Sequence, residues 1–352
     1  MVVAEIAKAC HCVVASVTPG QMLKTLTATL TPIGLALLLA ASAVGLAQAG
    51  VVANSAAPGN QQPTIISNVN GTPQVNIQAP SATGVSHNRY SQFDVEQHGL
   101  ILNNAHQNVQ TQLDGRVAKK PWLAGAEARV IVNEVNSRDP SQLNGFIEVA
   151  GREAEVVIAN PAGITCNGCG FINANRATLA TGQPQMQNGQ LTRYVIDRGE
   201  IAINGTGMDS SAQDYTDIIA RTVKVNVRLS AQNLRITTGR NRVNVAHQKI
   251  SSQQDDNPLT PQLALDVPSL GGMYAGKIRL IGTERDVGVS AGNITLSADG
   301  SNANSGAIYA SDQLAIQSHN PLSYSRSLAA GGNLNASAAS ITSTSDSSLT
   351  AG

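Results

Sequence analysis

Bulky rings are nearly absent from this 352-residue chain: three Phe, six Tyr and one Trp make up 3% of it. A compact enzyme core leans on such side chains, so their scarcity argues against one. The interior has to be assembled from Val, Ile, Leu and Ala in many thin layers, which is how a solenoid is built. Charge is scarce too, at 13% against roughly 25% in an ordinary globular domain. The 23 basic and 23 acidic residues cancel, leaving no global field to attract nucleic acid or an anionic membrane. Nucleic acid is therefore not expected as a partner. A short basic cluster at Arg235 to Arg242 (RITTGRNR) reads as a solvated strand edge ahead of a sugar or anion patch, because Arg and Lys also protect edges from pairing. The phosphate-cradling GxxxxGK[ST] loop, the HExxH helix and the EF-hand loop are missing. No catalytic residue and no cofactor is assigned.

The first 49 residues read as a targeting segment rather than as structure. Pro32 to Ala47 (PIGLALLLAASAVGLA) is apolar and uncharged, Lys8 and Lys24 precede it, and Ala47-Gln48-Ala49 is a small-x-small cleavage site before Gly50. The competing reading, an anchoring helix, needs about 20 apolar residues. Cleavage removes only Lys8, Lys24 and Glu5, so the mature chain stays nearly neutral. It also removes Cys10 and Cys12, leaving Cys166 and Cys169 as the remaining pair.

The most informative stretch runs from Asn160 to Asn173, NPAGITCNGCGFIN. Asn160-Pro161-Ala162-Gly163 has β-turn chemistry: Asn can hydrogen-bond forward, Pro presets φ at the second position and Gly suits the fourth. A strand-like run, Glu153 to Ile158 (EAEVVI), precedes it, and another with Phe171 and Ile172 follows. In an oxidising compartment Cys166 and Cys169 are expected to form a local disulfide that braces one tight corner, with little entropic gain from so short a loop. Free thiols, a zinc site or a redox motif are the weaker readings. Zinc would want two more ligands at recognisable spacing, and the redox motif would want a helix where Asn167-Gly168 favours a turn.

At these residues, and across NGTPQVNI (70 to 77), HNRYSQFDVEQHGLILNN (87 to 104), AGAEARVIVNEVN (124 to 136) and GGMYAGKIRLIGTERDVGV (271 to 289), the chain resembles the amino-terminal secretion domain of two-partner secretion exoproteins. That group holds filamentous haemagglutinins and contact-dependent inhibition toxins. The blocks lie in the family's order from about Thr64 to Val289. Where the family usually has Asn-Pro-Asn at its turn motifs, Ala162 stands in the third position, a small side chain that still fits the turn. The run VVAEIAKACHC resembles the tail of the family's extended signal region, so Met1 is read as lying inside a longer leader.

The resemblance implies an all-β fold, a right-handed parallel β-helix with an amino-terminal β cap. It implies a partner, a cognate outer-membrane transporter of the Omp85 class that reads the domain through its POTRA domains. It also implies export through Sec and the Gram-negative outer membrane to the cell surface. Asn160, Pro161 and Gly163 are the leading recognition candidates, with Asn103 and Asn104 behind them, and for Gly163 a purely structural role is the better reading.

Spacing agrees with a solenoid. Short strand-like pieces, among them Val75 to Ile77, Leu100 to Leu102, Val156 to Ile158, Tyr194 to Ile196 and Thr222 to Val227, alternate with Gly, Asn and Pro. From about Gly271, GKIRLIG, GNITLSA, GAIYASDQLAIQS and GNLNASAASITS recur near every twenty residues, the length of one coil. Ten to twelve rungs about 4.8 Å apart make a rod on the order of 50 Å long, with Asn and Ser ladders at its corners and a cap around Thr64 to Asn104. The organisation expected is a signal segment at 1–49, a loose start at 50–63, a secretion domain at 64–270 and rod repeats at 271–352. The chain reads as a fragment of a longer exoprotein, an adhesin presented to host cells or a toxin carrier for neighbouring bacteria.

The enzymatic alternative is a β-helical polysaccharide lyase or a polysaccharide-binding protein. It would use Glu153 and Glu155, two apart on a predicted strand, or Asp255 and Asp256 in a loop. Paired carboxylates on a strand are usually its solvated face. Tyr90 and Phe93, beside His87 and Arg89, could line a pocket, but packing within the cap is favoured.

Overall fold

A computed structural model describes residues 50–352, apart from Val69, Pro121, Trp122, Ala124, Gly125 and the segments 247–249, 253–262, 268–271, 283–287, 292–293, 297–307, 319–321, 325–326, 338–339 and 344–346. The targeting segment, Asp255 and Asp256 lie outside the described residues.

The described chain is a parallel β-helix with three faces. Each turn of chain lays one short strand on each face, because a strand of three to six small and branched residues ends at a Gly, Asn or Pro corner. On the first face, Pro73–Asn76 pairs parallel with Leu100–Asn104, which pairs with Phe146–Gly151. The column continues through the end of Ile164–Ile172, the end of Glu200–Ser210, the start of Arg228–Thr238, Gly272–Gly282, Ile308–Ser318, Ser327–Ala330 and Ser348–Ala351. These ten strands, nine steps of about 4.8 Å, span roughly 43 Å. The second face runs from Val85–Phe93 and Val130–Val135 through Ala154–Ala159, Ala174–Ala180 and Tyr215–Ala220 to the second half of Arg228–Thr238 and beyond. The third is built on Ser141–Leu143, the first halves of Ile164–Ile172 and Glu200–Ser210, and Thr222–Val225. It turns antiparallel at Ile294–Leu296.

Alternation along each strand fills the interior. Leu100 and Leu102, Ile147 and Val149, and Val156 and Ile158 point inward and are buried in one continuous core. Each such side chain contributes roughly 1.5–3 kcal/mol by leaving water. Polar ladders tie the coils together. Asn160 donates to the coil before it, and so do Asn173, to the Val149 and Gly151 carbonyls, Gln213, to the Phe171 carbonyl, Asn226, to Asn204 Oδ1, and Asn233, to the Asp214 carbonyl.

The amino-terminal edge is closed by antiparallel strands. Val51–Ala53 pairs with Val85–Phe93, and Thr64–Ser67 pairs with Pro73–Asn76, so the parallel edge of the first coil is covered by short strands of three and four residues, which leave little edge to template a second chain. This corrects two expectations. The cap begins at Val51 rather than at Thr64, and residues 50–63 are not loose: Val51 is buried and Gly59–Gln61 forms a short 3-10 turn.

Two further sheets lie outside the coils, where none was expected. A four-stranded antiparallel sheet is made of Gln183–Gln187, Gln190–Ile196, Asn241–Asn244 and Ile250–Ser252. It covers the second face, burying Tyr194 and Ile196 against Val157, Ala159 and Ile219. Tyr194 to Ile196 is therefore a cover strand, not a rung. Its turn residues Asn188 and Gly189 have φ of 51° and 73°, the left-handed pair a two-residue hairpin requires. A smaller hairpin, Val109–Thr111 with Gly115–Val117, covers Ile101 and Ala150 on the first face.

The basic cluster is also corrected. Arg235 lies on the second face in an ion ladder, with Arg235 Nε 2.5 Å and Arg176 Nε 2.6 Å from the fully buried Asp217 carboxylate, while Arg242 lies in the cover sheet.

Candidate functional site

The sequence Asn160-Pro161-Ala162-Gly163 forms the corner between Ala154–Ala159 on the second face and Ile164–Ile172 on the third. Asn160 Oδ1 accepts the Ala162 N–H at 2.9 Å, and the Gly163 N–H closes the β-turn onto the Asn160 carbonyl at 3.0 Å. The same amide reaches back one coil, donating through Nδ2 to the Asp139 carbonyl at 3.1 Å and to Ser141 Oγ at 3.0 Å. Its backbone N–H donates forward to the Ala180 carbonyl at 2.9 Å. One residue thus pins three successive coils, its side chain the first two and its backbone N–H the third, and it is completely buried. Gly163 has φ 128°, and a Cβ there would come within 3.0 Å of the Glu200 carbonyl, so both conformation and space require glycine. Pro161 and Ala162 are half-buried and form the reachable part of the corner.

Asn103 and Asn104 lie far from that corner, at the end of Leu100–Asn104 on the first face. Both are buried. Asn103 Nδ2 donates to Asn76 Oδ1 at 2.9 Å and to the Ala118 carbonyl at 3.1 Å, and its Oδ1 accepts the Ala105 N–H. Asn104 exchanges hydrogen bonds with the Ala128 backbone and donates to the Arg152 carbonyl. The five candidates therefore form two separate clusters, and the asparagines in both spend their amides on backbone groups and, for Asn160 and Asn103, on a neighbouring side chain within the stack.

Cys166 and Cys169 are joined across the next corner, Cα atoms 5.3 Å apart, with Gly168 between them at φ 78°. Asn167 Oδ1 accepts the Thr206 N–H of the following coil. Among the described residues there is no group of three His, Cys, Asp or Glu placed to hold a metal.

The carboxylates of the enzymatic alternative are not a pair. The strand starts at Ala154, which leaves Glu153 exposed ahead of it, while Glu155 is buried. Burial raises the Glu155 carboxyl above the usual range, against the pull of nearby Arg176. Glu134 behaves oppositely. Burial pushes it up, but hydrogen bonds from His87 at 2.6 Å and Arg89 at 2.8 Å prevail and leave it lowered. Tyr90 and Phe93 pack edge to face, centroids 4.9 Å apart, and the Tyr90 hydroxyl donates to Asn133 Oδ1. That is packing rather than a ligand pocket. Gly288 to Gly292 spells GxSxG, yet Gly288–Ala291 pairs within the third face instead of forming the strand–turn–helix elbow of a hydrolase.

The ion ladder and the cover sheet were not anticipated. Asn188-Gly189 between QPQMQ and QLTRYVI was the available signal for the hairpin; nothing in the sequence links Asp217 to Arg176, 41 residues away.

The fold is a capped β-helix stitched by corner asparagines. The chain belongs to the family described as TPS (two-partner secretion) secretion domain, which matches residues 49–310. It is 59% identical over 313 residues to the Toxin CdiA of Yersinia pestis, covering 86% of this chain and 10% of that protein. It is 42% identical over 278 residues to the tRNA nuclease CdiA-2 of Burkholderia pseudomallei strain 1026b, covering 76% of this chain and 9% of that one. The crystal structure of a filamentous hemagglutinin secretion domain superposes with a TM-score of 0.69 at 26% identity, over 86% of this chain and all of that one. The chain spans about a tenth of the length of the curated relatives it matches.

Proposed function

We propose that this domain is the export address of a large contact-dependent inhibition exoprotein, read by the POTRA domains of an outer-membrane transporter before its coils form. The observation that carries this reading is the burial of Asn160, Gly163, Asn103 and Asn104. A transporter could not touch these groups in the finished coil, whereas an extended chain offers them together with free strand edges for β-augmentation. Coil formation outside the cell then hides the address and opposes return. The CdiA names of the relatives favour toxin delivery over adhesion for the whole protein.

Residues 1–49 act in this reading as the Sec signal. Its support is the uncharged apolar run Pro32 to Ala47, preceded by Lys8 and Lys24 and followed by the small-x-small Ala47-Gln48-Ala49. The rod repeats continue the same stack from about 271. The test follows the chain between periplasm and medium in cells with and without the cognate transporter. Wild type is expected in the medium only when the transporter is present. Asn160→Ala should be retained in the periplasm, and Pro161→Ala released less efficiently. Release without the transporter would sink the reading.

A further inference from the structure

The outer surface of the first face carries a straight row of residues in register: Phe146 opposite Gly170, Gly170 opposite Asp209, Asp209 opposite Ser230 and Ser230 opposite Tyr274. The two ends are aromatic and exposed, Phe146 at 38% and Tyr274 at 42%, in a chain with few rings. Four coil steps separate them, roughly 19 Å. Each ring lies over a glycine. A Cβ on Gly170 would come within 2.3 Å of the Phe146 ring, and one on Gly272 within 2.8 Å of the Tyr274 ring. From Phe146 the surface sinks into a groove of about 460 Å³ that reaches Arg228 and Ser230, one coil short of Tyr274, within the roughly 300–1,000 Å³ typical of small-ligand sites.

The groove is floored by backbone at Gly168 and Gly207, and it holds one carboxylate, Asp209, and one guanidinium, Arg228. Arg228 is fixed from both sides, its Nε donating to Ser230 Oγ at 2.9 Å and its guanidinium carbon standing 4.9 Å from the Tyr274 ring centroid. The Asp209 carboxyl is held below its usual range by the Ser211 hydroxyl and N–H, so it stays an acceptor.

We propose that this row is a glycan-binding trench that takes a neutral oligosaccharide lying across the coils. The apolar face of one sugar ring would rest on Phe146 and another ring would abut the exposed edge of Tyr274, whose face is taken by Arg228, and their hydroxyls would donate to Asp209 and accept from Arg228. The balanced charge of the groove favours a neutral ligand over an anionic one. A peptide fits poorly, because the strands in this row are hydrogen-bonded on both sides and leave no edge for an added strand. The coil repeat of about 4.8 Å is close to the rise per sugar in an extended glycan.

The test is calorimetric titration of the purified protein with maltohexaose, cellohexaose and chitohexaose. Saturable binding of at least one is expected, weakened about tenfold or more by Phe146→Ala and by Tyr274→Ala. Tyr215→Ala, which removes an equally exposed ring on the second face (45%), should leave it unchanged. If either ring variant loses its β spectrum, Asp209→Asn and Arg228→Gln carry the test with the same expected loss. Absence of binding to all three hexasaccharides overturns the proposal. So does an equal loss in Tyr215→Ala, or capture of extended peptides in place of sugars.

Discussion

The coils between Leu100 and Thr238 and those from Ile308 onward share one architecture but are finished differently on the outside. In the early coils the outward side chains Val157, Ala159 and Ile219 are buried under a second sheet, and Asp217 is enclosed by two arginines. In the late coils the outward Asn335 and Ser337 are open to water. Where nothing packs outside, only the inward residue is constrained, and the same pattern returns at Ile308, Ser327 and Ser348. Where a cover sheet packs outside, both sides of each strand are individually specified and the repeat is erased. Irregularity in the early coils therefore reflects added tertiary contacts, not a weaker solenoid.

The comparison breaks most directly at the cover. Tyr194→Ala should cost about 3–5 kcal/mol in urea unfolding, while Ile341→Ala, at a late-coil position 51% exposed, should stay within about 0.5 kcal/mol; equal effects would erase the distinction. Asp217→Asn leaves Arg176 and Arg235 unbalanced and should cost about 3 kcal/mol. Lys224→Ala, whose pairing with Glu200 is nearly half exposed on both sides, should cost less than about 1 kcal/mol. Reducing the Cys166–Cys169 bond should lower stability by about 2 kcal/mol or less, given its four-residue loop, and should not unfold the coils by circular dichroism.

Acid separates the two buried glutamates by sign. Glu134 is lowered in the fold, so its contribution is present above the unfolded carboxylate range and is lost as pH falls through its folded value. Glu155 is raised, so its contribution is complete below the unfolded range and is lost as pH rises through its folded value. Glu134→Gln should flatten the loss of stability in acid, and Glu155→Gln should raise stability near neutrality. Urea midpoints measured from acid to neutral pH decide both.

Much of this was legible in advance for a physical reason. Short apolar runs such as VVI and LIL, closed off by Asn and Gly, report buried strands, and Asn-Pro-x-Gly reports a corner whatever surrounds it. The cap start at Val51 was not legible, because three apolar residues, Val51 to Ala53, carry no periodicity. The covers were half legible: Asn188-Gly189 announces a hairpin, but whether it forms a rung or a lid depends on Val157 and Ile219, far away in sequence. The corner residues were found as a turn. That Asn160 faces inward, onto the preceding coil, depends on Ser141 and Asp139, which only the stack brings beside it.

The direction of those corner hydrogen bonds matters for how the stack can grow. Asn160, Asn173, Gln213, Asn226 and Asn233 all donate to acceptors lying 19 to 42 residues earlier. Each of these side chains thus meets its acceptors already in position, while forward bonds such as the Asn160 N–H to the Ala180 carbonyl close when the next coil arrives, so the rod can lengthen like masonry, one course bedded on the last.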